Sequence, residues 1–176
     1  MIDLAASSLS ELADHVEQTH HTYLRSELPR LEEIAAKVVS IHGDKDPRLH
    51  KVRETFLALK AELSSHMMKE ERILFPMVRE LEASDEAPMF HCGTLANPIR
   101  QMEMEHDQAD SALVQLRELT DGFTIPEGAC DTYQDMLNAL ARFEQDLREH
   151  IHKESEALFQ RALQMEQEKS AGPQAG

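Results

Sequence analysis

Apolar residues recur every three or four positions along most of the chain, the spacing that places side chains on one face of an α-helix. The first such segment spans residues 8–39, and its apolar positions are Leu12, Val16, Leu24, Leu28, Leu31, Ile34 and Val38. Pro29 lies inside this segment, where its missing N–H and its ring are expected to bend the helix. The pattern predicts one long amphipathic helix that ends before "HGDKDP".

The second periodic segment begins with a clear start signal. Asp46 is expected to cap the helix, and Pro47 takes the first helical position, where its fixed φ is favourable. The apolar spacing continues to about Leu81, and Pro76 is expected to kink the helix near that end. The pattern therefore predicts a second long helix.

Two more helices are predicted in the second half of the chain. Asn97 is the expected cap of the third helix, with Pro98 behind it, and this helix should run to about Thr120. The fourth should start near Pro126 and end near Met165. Both carry the three- and four-residue apolar spacing of a helix with one buried face.

Breaker residues separate these helices in the stretches "HGDKDP", "ASDEAPMFHCG" and "DGFTIPEGA". Connections of this length favour antiparallel neighbours, so the sequence predicts an all-α, antiparallel up-down-up-down four-helix bundle. The length of 176 residues fits one domain, assigned to residues 1–166. The polar remainder, residues 167–176, is expected to be a disordered tail.

The formal net charge of −15 argues against nucleic acid as a partner, because that binding depends on Lys and Arg neutralising phosphates. Acidic surfaces usually keep proteins soluble, and we expect a monomer or weak dimer. No apolar run approaches a membrane span, and the start lacks the features of an export signal, so a cytoplasmic location is expected. Cys92 and Cys130 are far apart and are interpreted as reduced thiols.

Two helices carry the same column of polar side chains beside apolar residues. In each, a carboxylate, a histidine and a second carboxylate follow at four-residue intervals, so they share one helix face. The columns are Glu62, His66 and Glu70 in "ELSSHMMKEERILF", and Asp146, His150 and Glu154 in "DLREHIHKESEALF". One such motif arises easily by chance in a charged helix, whereas two matching motifs in one bundle indicate a site.

Histidines on antiparallel neighbours lie at the same height when they are equally far from the turn between them. The midpoint of His66 and His106 falls in "ASDEAP", and the midpoint of His106 and His150 falls in "IPEGAC". His21 and His66 are likewise equidistant from "HGDKDP". These relations predict one layer that receives one imidazole from each helix.

Glu70 and Glu154 belong to the same predicted site, since the second and fourth helices run in one direction and each carboxylate lies one turn from its histidine. Two carboxylates between four imidazoles form a ligand set for a pair of metal ions, with iron or manganese favoured over zinc. Ferritin-like bundles use more carboxylates, in E-x-x-H order, and this site reverses that order. The competing interpretation is a bundle of hydrogen-bonded histidines without metal, which leaves buried carboxylates at a high cost.

Three other acidic residues lie near the predicted site. Glu62 and Asp146 precede His66 and His150 by one turn, and two interpretations stay open for them: they accept a ring N–H and support the site, or they are solvated charges at its mouth. Glu105 neighbours His106 but points off its face, so its predicted role is limited to an access path.

The other histidines are predicted to lie outside the site. His42 is too far along the first helix to reach it, at a rise of about 1.5 Å per residue. His20 and His152 share helices with predicted ligands but point away from the ligand faces. Predicted surface residues are His15, His50 and His91. Nearby methionines are interpreted as core residues, namely Met67, Met68, Met77, Met102 and Met104.

The stretches "SSHMMKEERILFPM", "NPIRQMEMEHDQA" and "HIHKESEALFQRAL" resemble the hemerythrin-like domain of the RIC (repair of iron centres) di-iron proteins. The resemblance extends over about residues 21–162. It implies a non-haem centre of two iron ions, oxo-bridged when oxidised, with the ligands His21, His66, Glu70, His106, His150 and Glu154. The family also has a histidine that corresponds to His42.

The sequence departs from that family in two places. RIC proteins usually carry a small N-terminal domain with adjacent cysteines, and this sequence has no such pair, which puts any step that depends on those thiols in question. The family's "LFP" in the last helix is "LFQ" here, and Gln160 is expected only to straighten that helix.

The resemblance implies a protein that supplies iron for the repair of iron–sulfur clusters damaged by nitric oxide or oxidative stress, with iron–sulfur proteins as its clients. Such a role is that of an iron donor rather than of a classical enzyme. Two alternatives stay open: a module that binds or senses O2 or NO, and a di-iron NO reductase.

Overall fold

The computed structural model describes residues 3–171 as four long helices joined by three connections. Three of these helices contain one π-helical segment between two α-helical ones. In chain order the segments are Leu9–Val16, Glu17–His21 (π) and Thr22–His42 in the first helix; Arg48–Lys69, Glu70–Leu74 (π) and Phe75–Ala83 in the second; Ala96–Leu119 in the third; and Asp131–Lys153, Glu154–Phe159 (π) and Gln160–Ser170 in the fourth.

Contacts between the helices show that neighbours run antiparallel. Thr55 hydrogen bonds to Gln115, and Lys69 pairs with Glu105, so later positions of the second helix meet earlier positions of the third. The same reversal relates the other consecutive pairs. The structure therefore confirms the predicted antiparallel four-helix bundle.

The core consists of two apolar clusters, one on each side of a polar layer. The larger cluster contains Phe56 and Phe143, whose rings meet edge to face at 5.8 Å between centroids. The smaller cluster, toward the opposite end, contains Phe75 and Phe159. Apolar residues are concentrated on inner faces, and within residues 3–171 no helix is long and apolar enough to cross a membrane.

The first helix begins after Ser8 and ends three residues later than predicted. The Ser8 hydroxyl accepts from the Glu11 N–H, and Glu11 accepts from the Ser8 N–H, forming a capping box. At the other end, a Cβ on Gly43 would lie 2.5 Å from the Val39 carbonyl oxygen, so the turn needs glycine. Pro29 lies within regular α-helix, and the departure from α geometry occurs earlier, at Glu17–His21.

Interactions with other helices set the start of the third helix. It begins at Ala96, and the Leu95 N–H donates to Glu166 Oε1 at 2.9 Å. The prediction that Asn97 is the cap is wrong, since Asn97 lies inside the helix and its Nδ2 donates to the Cys92 carbonyl at 2.7 Å. A carboxylate from a distant part of the chain fulfils the capping role instead.

The fourth helix starts later and ends later than predicted. It begins at Asp131 rather than near Pro126, and it continues to Ser170, through part of the predicted disordered tail. Lys169 explains the extension, because its Nζ donates to the Leu81 carbonyl at 2.6 Å near the end of the second helix. The rest of the predicted tail, residues 172–176, lies outside the described residues.

Candidate metal centre

The six predicted ligands converge in the polar layer between the two apolar clusters. Each of the four helices contributes one histidine, and the second and fourth helices also contribute one glutamate each. No more than 6% of any of these residues is exposed to solvent. The residues brought together are His21, His66, Glu70, His106, His150 and Glu154.

These side chains form two groups of four that could each hold a metal ion. Within each group, the nitrogen and oxygen atoms lie within 4.8 Å of one another. We define position one as the group of His21, Glu70, His150 and Glu154. We define position two as the group of His66, Glu70, His106 and Glu154.

Each glutamate presents one oxygen to each position. Glu70 Oε2 lies 3.2 Å from His21 Nε2, and its Oε1 lies 3.3 Å from His66 Nε2. Glu154 Oε1 lies 3.0 Å from His150 Nε2, and its Oε2 lies 3.1 Å from His106 Nε2. Both carboxylates are therefore shared between the positions, as bridging ligands of a metal pair would be.

The hydrogen-bonding needs of this layer are not met by the chain itself. Among the described residues, all four carboxylate oxygens of Glu70 and Glu154 are buried without an aligned donor, and so are the Nε2 atoms of His21 and His150. Leaving such groups unsatisfied costs free energy that a bound cation would recover. The donor set thus fits a pair of transition-metal ions.

Three of the six predicted ligand residues lie in π-helical segments. His21 ends one, Glu70 begins another and Glu154 begins the third. Such single π turns occur frequently at functional sites, because the extra residue turns side chains inward that an α-helix would place elsewhere.

The fourth helix contains a π segment although Gln160 stands where the second helix has proline. Pro76 follows the π segment of the second helix and has no N–H to donate to it. Gln160 holds the corresponding place in the fourth helix and has an N–H, which bonds to the Ala157 carbonyl. The π segment Glu154–Phe159 forms nevertheless. Proline is therefore not required for it.

Two of the site histidines donate a hydrogen bond from Nδ1 to a carboxylate outside the layer. His21 Nδ1 lies 2.7 Å from Glu71 Oε1, and Arg25 holds that carboxylate at 2.5 Å. His66 Nδ1 lies 2.9 Å from Glu105 Oε2. These contacts fix the ring orientation and favour Nε2 as the free nitrogen. Glu105 thus supports a site histidine directly, which goes beyond its predicted access role.

The other two histidines lack such a carboxylate. His106 Nδ1 is 3.3 Å from the Ser155 hydroxyl, and its ring stacks on Phe159. His150 Nδ1 is buried and has no hydrogen-bond partner among residues 3–171. Its ring lies parallel to that of His20, with centroids 5.3 Å apart and planes inclined by 4°.

His20 and Asp146 differ from their predictions. His20 is buried against the site rather than pointing away from it, because the π turn at Glu17–His21 changes the angular positions of both neighbouring histidines. Asp146 Oδ1 lies 3.0 Å from His20 Nδ1, so its hydrogen bond goes to His20 and not to His150. Lys153 Nζ lies 3.0 Å from the other ring nitrogen of His20.

Glu62 is exposed and lines a small cavity beside the layer, together with Glu105 and the apolar side chain of Leu63. The space open to the centre of a water molecule is about 10 Å³, which is room for about one water. The cavity reaches His66, His106 and His150, so it connects the layer with the surface.

Several predictions about nearby residues are also resolved. His42 lies outside the layer, as expected, with its Nε2 3.1 Å from Cys130 Sγ. His50, His91 and His152 are exposed, whereas His15 is half-buried against Lys153 rather than free on the surface. The predicted core role of two methionines is wrong, since the exposed ones are Met68 and Met104.

The protonation of the layer reflects its buried carboxylates. Burial lowers the pKa of His66, but the nearby Glu70 carboxylate outweighs burial and raises that pKa to about 9. Burial raises the pKa of Glu154, yet His150 and His106 hold it well below its ordinary value. Without a cation, the layer therefore keeps Glu154 charged and holds a proton on His66 that a metal ion must displace.

The site has an internal approximate two-fold symmetry. The second and fourth helices carry equivalent residues at identical spacings. The first and third helices also carry equivalent residues where they cross the polar layer. Equivalent pairs are His66 and His150, Lys69 and Lys153, Glu70 and Glu154, Glu71 and Ser155, Phe75 and Phe159, His21 and His106, and His20 and Glu105. Sequence reasoning predicted the residues that converge in the layer but missed Glu71, Ser155, His20 and both lysines, although each adjoins one of those residues or lies within one turn of it.

Comparison with known proteins places this geometry in a family. Residues 12–162 match the hemerythrin HHE cation binding domain. The chain is 38% identical over 164 residues to the iron-sulfur cluster repair protein YtfE of Pectobacterium atrosepticum, covering 93% of this chain and 70% of that protein. It is 40% identical over 162 residues to a protein of the same name from Escherichia coli O1:K1 / APEC, covering 92% and 69% respectively. The chain therefore belongs to the hemerythrin HHE cation-binding family, together with these repair proteins.

Proposed function

We propose that positions one and two hold a pair of iron ions, with the two histidines of each position as terminal ligands and Glu70 and Glu154 as bridging ligands. The observation that carries this proposal is the sharing of both carboxylates, each of which offers one oxygen to each position. Mixed imidazole and carboxylate ligands suit iron or manganese better than softer metals. A bound iron pair would supply redox chemistry and sites for small ligands.

The chain's own residues preorganise this site. Glu71 and Glu105 orient His21 and His66, and burial excludes bulk water from all six donor side chains. Each position receives four donor atoms from the chain, fewer than octahedral coordination uses, so small molecules can complete it. Such a site binds iron without enclosing it fully.

We propose that iron is the cargo of this protein, supplied in the cytoplasm to iron–sulfur proteins whose clusters have been damaged by nitric oxide or oxidative stress. Relatives with 38% to 40% identity are named iron-sulfur cluster repair proteins, which supports this role. The chain spans about 70% of the length of the YtfE protein from Pectobacterium atrosepticum. The cavity lined by Glu62 and Glu105 offers a cation a path between the polar layer and solvent.

The cavity also favours a second candidate function, the binding or sensing of O2 or NO. Its apolar lining includes Leu63, Ala109 and Leu147, and it adjoins three site histidines. A small uncharged gas is suited to such a space next to an incompletely coordinated metal. Reduction of NO at the pair is the corresponding enzymatic alternative.

Metal analysis tests the centre before any activity is measured. We expect protein grown in iron-rich medium to contain an iron pair, with a Mössbauer spectrum of coupled non-haem iron. Glu70→Ala should abolish this spectrum, while the exposed Glu62→Ala should retain it. Absence of any transition metal, or a native manganese pair, would contradict the proposal.

Iron donation is tested by incubating the reduced, iron-loaded protein with apo-aconitase. We expect aconitase activity to return in proportion to the iron supplied. If free Fe(II) restores activity and the loaded protein does not, the donation role is wrong. A stable, reversible optical change on exposure to O2, or N2O production under NO, would instead favour the gas-binding or NO-reducing alternative.

A further inference from the structure

The two cation positions differ in what contacts Nδ1 of one histidine, His66 in position two and His150 in position one. In position two, His66 Nδ1 lies 2.9 Å from Glu105 Oε2. The other oxygen of Glu105 pairs with Lys69 and accepts from Gln101 Nε2 at 2.8 Å. His66 is therefore anchored by a carboxylate that two further side chains hold in place.

Position one differs in two places: Glu71 supports His21 where position two has only the Ser155 hydroxyl beside His106, and the partner of His150 is replaced. Lys153 and His150 have the spacing of Lys69 and His66, but the first helix supplies His20 where the third supplies Glu105. His20 cannot serve as an acceptor for His150, because Asp146 and Lys153 already occupy its two ring nitrogens at 3.0 Å each.

His20 nevertheless makes a specific contact with His150. Held at both ring nitrogens, it presents a flat face parallel to the His150 ring, with centroids 5.3 Å apart. The edge of His21 lies against His150 as well, with centroids 5.1 Å apart. The orientation of His150 thus depends on ring packing, and its Nδ1 remains without a partner among the described residues.

We infer that His20 is a positioning residue that orients His150 by stacking, and that the cation at position one consequently exchanges before the cation at position two. This inference rests on the proposed metal centre and specifies which cation is supplied first. A carboxylate on the outer nitrogen of a ligating histidine increases its basicity, and losing such a partner typically lowers metal affinity about 10- to 100-fold. Each position has one histidine without such a carboxylate, but His106 of position two has the Ser155 hydroxyl 3.3 Å from its Nδ1, whereas His150 of position one has no partner for its Nδ1 among residues 3–171.

The exchange order is measured by stopped-flow release of Fe(II) to ferrozine from the anaerobic, fully loaded protein. We expect two phases of equal amplitude in the unchanged protein. Glu71→Gln weakens the support of His21 and should accelerate the fast phase. Glu105→Gln weakens the support of His66 and should accelerate the slow phase. Both residues are partly exposed, so neither substitution threatens the fold. The reverse assignment, or a single phase in the unchanged protein, would overturn the inference.

The stacking role is tested by three substitutions of comparable size. His20→Leu removes the flat ring and should accelerate the fast phase about 10-fold or more, with the slow phase unchanged. His20→Phe retains a stacking ring and should restore much of the rate. His152→Leu, an exposed histidine on the same helix as His150, is the matched control and should change neither phase. Equal rates for His20→Leu and the unchanged protein would contradict the positioning role.

A gain-of-function variant gives the sharpest test. In an Asp146→Asn background, His20→Glu places a carboxylate beside Lys153, as Glu105 lies beside Lys69. We expect the fast phase to slow about 10-fold relative to Asp146→Asn alone, so that the two phases approach each other. Faster release from His20→Glu would overturn the inference.

The outcomes separate this inference from the proposed function. A protein that binds no cation pair overturns both. Two-phase release with the expected assignment, but without reactivation of apo-aconitase, overturns iron donation and leaves the exchange order standing. Reactivation with a single release phase supports donation and overturns the exchange order.

Discussion

The second and fourth helices both contain a π segment that turns side chains into the polar layer, and the residues around the two segments are partly different. Both helices carry a histidine, a glutamate one turn later that begins a π segment, and a phenylalanine at or directly after the end of that segment that stacks on a site histidine. Pro76 follows the π segment in one, and Gln160 follows it in the other. The comparison shows that the inward-turning π segment is the shared feature, and that proline merely accompanies it in the second helix.

The largest expected effect distinguishes the two shared carboxylates from the histidines, each of which belongs to one position only. Glu70→Ala and Glu154→Ala should each remove both cations, because each carboxylate serves both positions. His66→Ala and His150→Ala each affect one position and should leave the other partly occupied. Metal-to-protein ratios after desalting check this expectation. Retention of a full cation pair by either glutamate variant would contradict shared coordination.

Phe75→Ala and Phe159→Ala compare the apolar support of the two helices. Both rings are fully buried, and they stack on His21 and His106 with centroids 5.9 Å and 5.8 Å away. Each substitution should lower the free energy of unfolding by about 3–5 kcal/mol. Urea titration of the metal-free protein measures both. Costs that differ by more than about 2 kcal/mol would show that the two halves do not pack equivalently.

Protons and cations should compete for the layer. The pKa of His66 is raised to about 9, so its ring carries a proton at neutral pH in the metal-free protein. Cation binding must displace that proton, and the affinity should therefore rise as the pH increases toward about 9 and level off above it. Chelator competition at constant ionic strength measures the slope. An affinity independent of pH from about 6 to 9 would contradict this protonation state.

The second and fourth helices have equivalent glutamates near their C-terminal ends, and each glutamate caps the start of another helix. Glu82 accepts from the Leu9 and Ser10 N–H groups at 2.7 Å and 2.9 Å, whereas Glu166 accepts from Leu95 alone. Glu82→Gln should therefore cost about 1 kcal/mol of stability, and Glu166→Gln less. Urea unfolding at neutral pH measures this difference between the two variants.

The effect of Glu82 should also depend on pH. Burial raises the pKa of Glu82, but its hydrogen bonds with Ser10 and Leu9 outweigh burial and lower it below its ordinary value. Its stabilisation is therefore complete above the pKa of the unfolded chain, and it is lost as the pH falls through the folded-state pKa. The unchanged protein and Glu82→Gln should converge in stability in acid. A difference that persists there would contradict the charged cap.

The smallest effect concerns the proline. Pro76→Ala should leave cation binding intact and lower stability by about 0.4–1 kcal/mol, through the greater freedom of the unfolded chain. Urea unfolding and metal analysis of the same preparation check both parts. Loss of cations in this variant would show that the π segment of the second helix does require proline, unlike that of the fourth.

The sequence predicted the layer itself because antiparallel helices relate height to distance from a turn. That relation depends on helix direction alone, so it brought His21, His66, His106 and His150 together despite errors in several helix ends. Angular position was harder to predict. An ideal helix points His20 away from the site, and the π turn at Glu17–His21 changes that angle without any local signal that periodicity reveals.

The helix ends that were wrong are those fixed by distant side chains. Glu166 determines the start of the third helix, and Lys169 supports the end of the fourth across the bundle. Local capping rules consider only neighbouring residues, so they placed the cap at Asn97 and ended the last helix early. Such contacts become visible only when the packing of the bundle is known.

The division of the core by a polar layer has a consequence for how the molecule unfolds. The two apolar clusters are joined through a cross-section whose buried carboxylates lack an aligned hydrogen-bond donor among residues 3–171. Without cations, we expect the end of the bundle that holds Phe75 and Phe159 to open by itself, as a separate cooperative unit in hydrogen exchange. A bound cation pair would couple the two units, so that the whole molecule unfolds in a single cooperative transition.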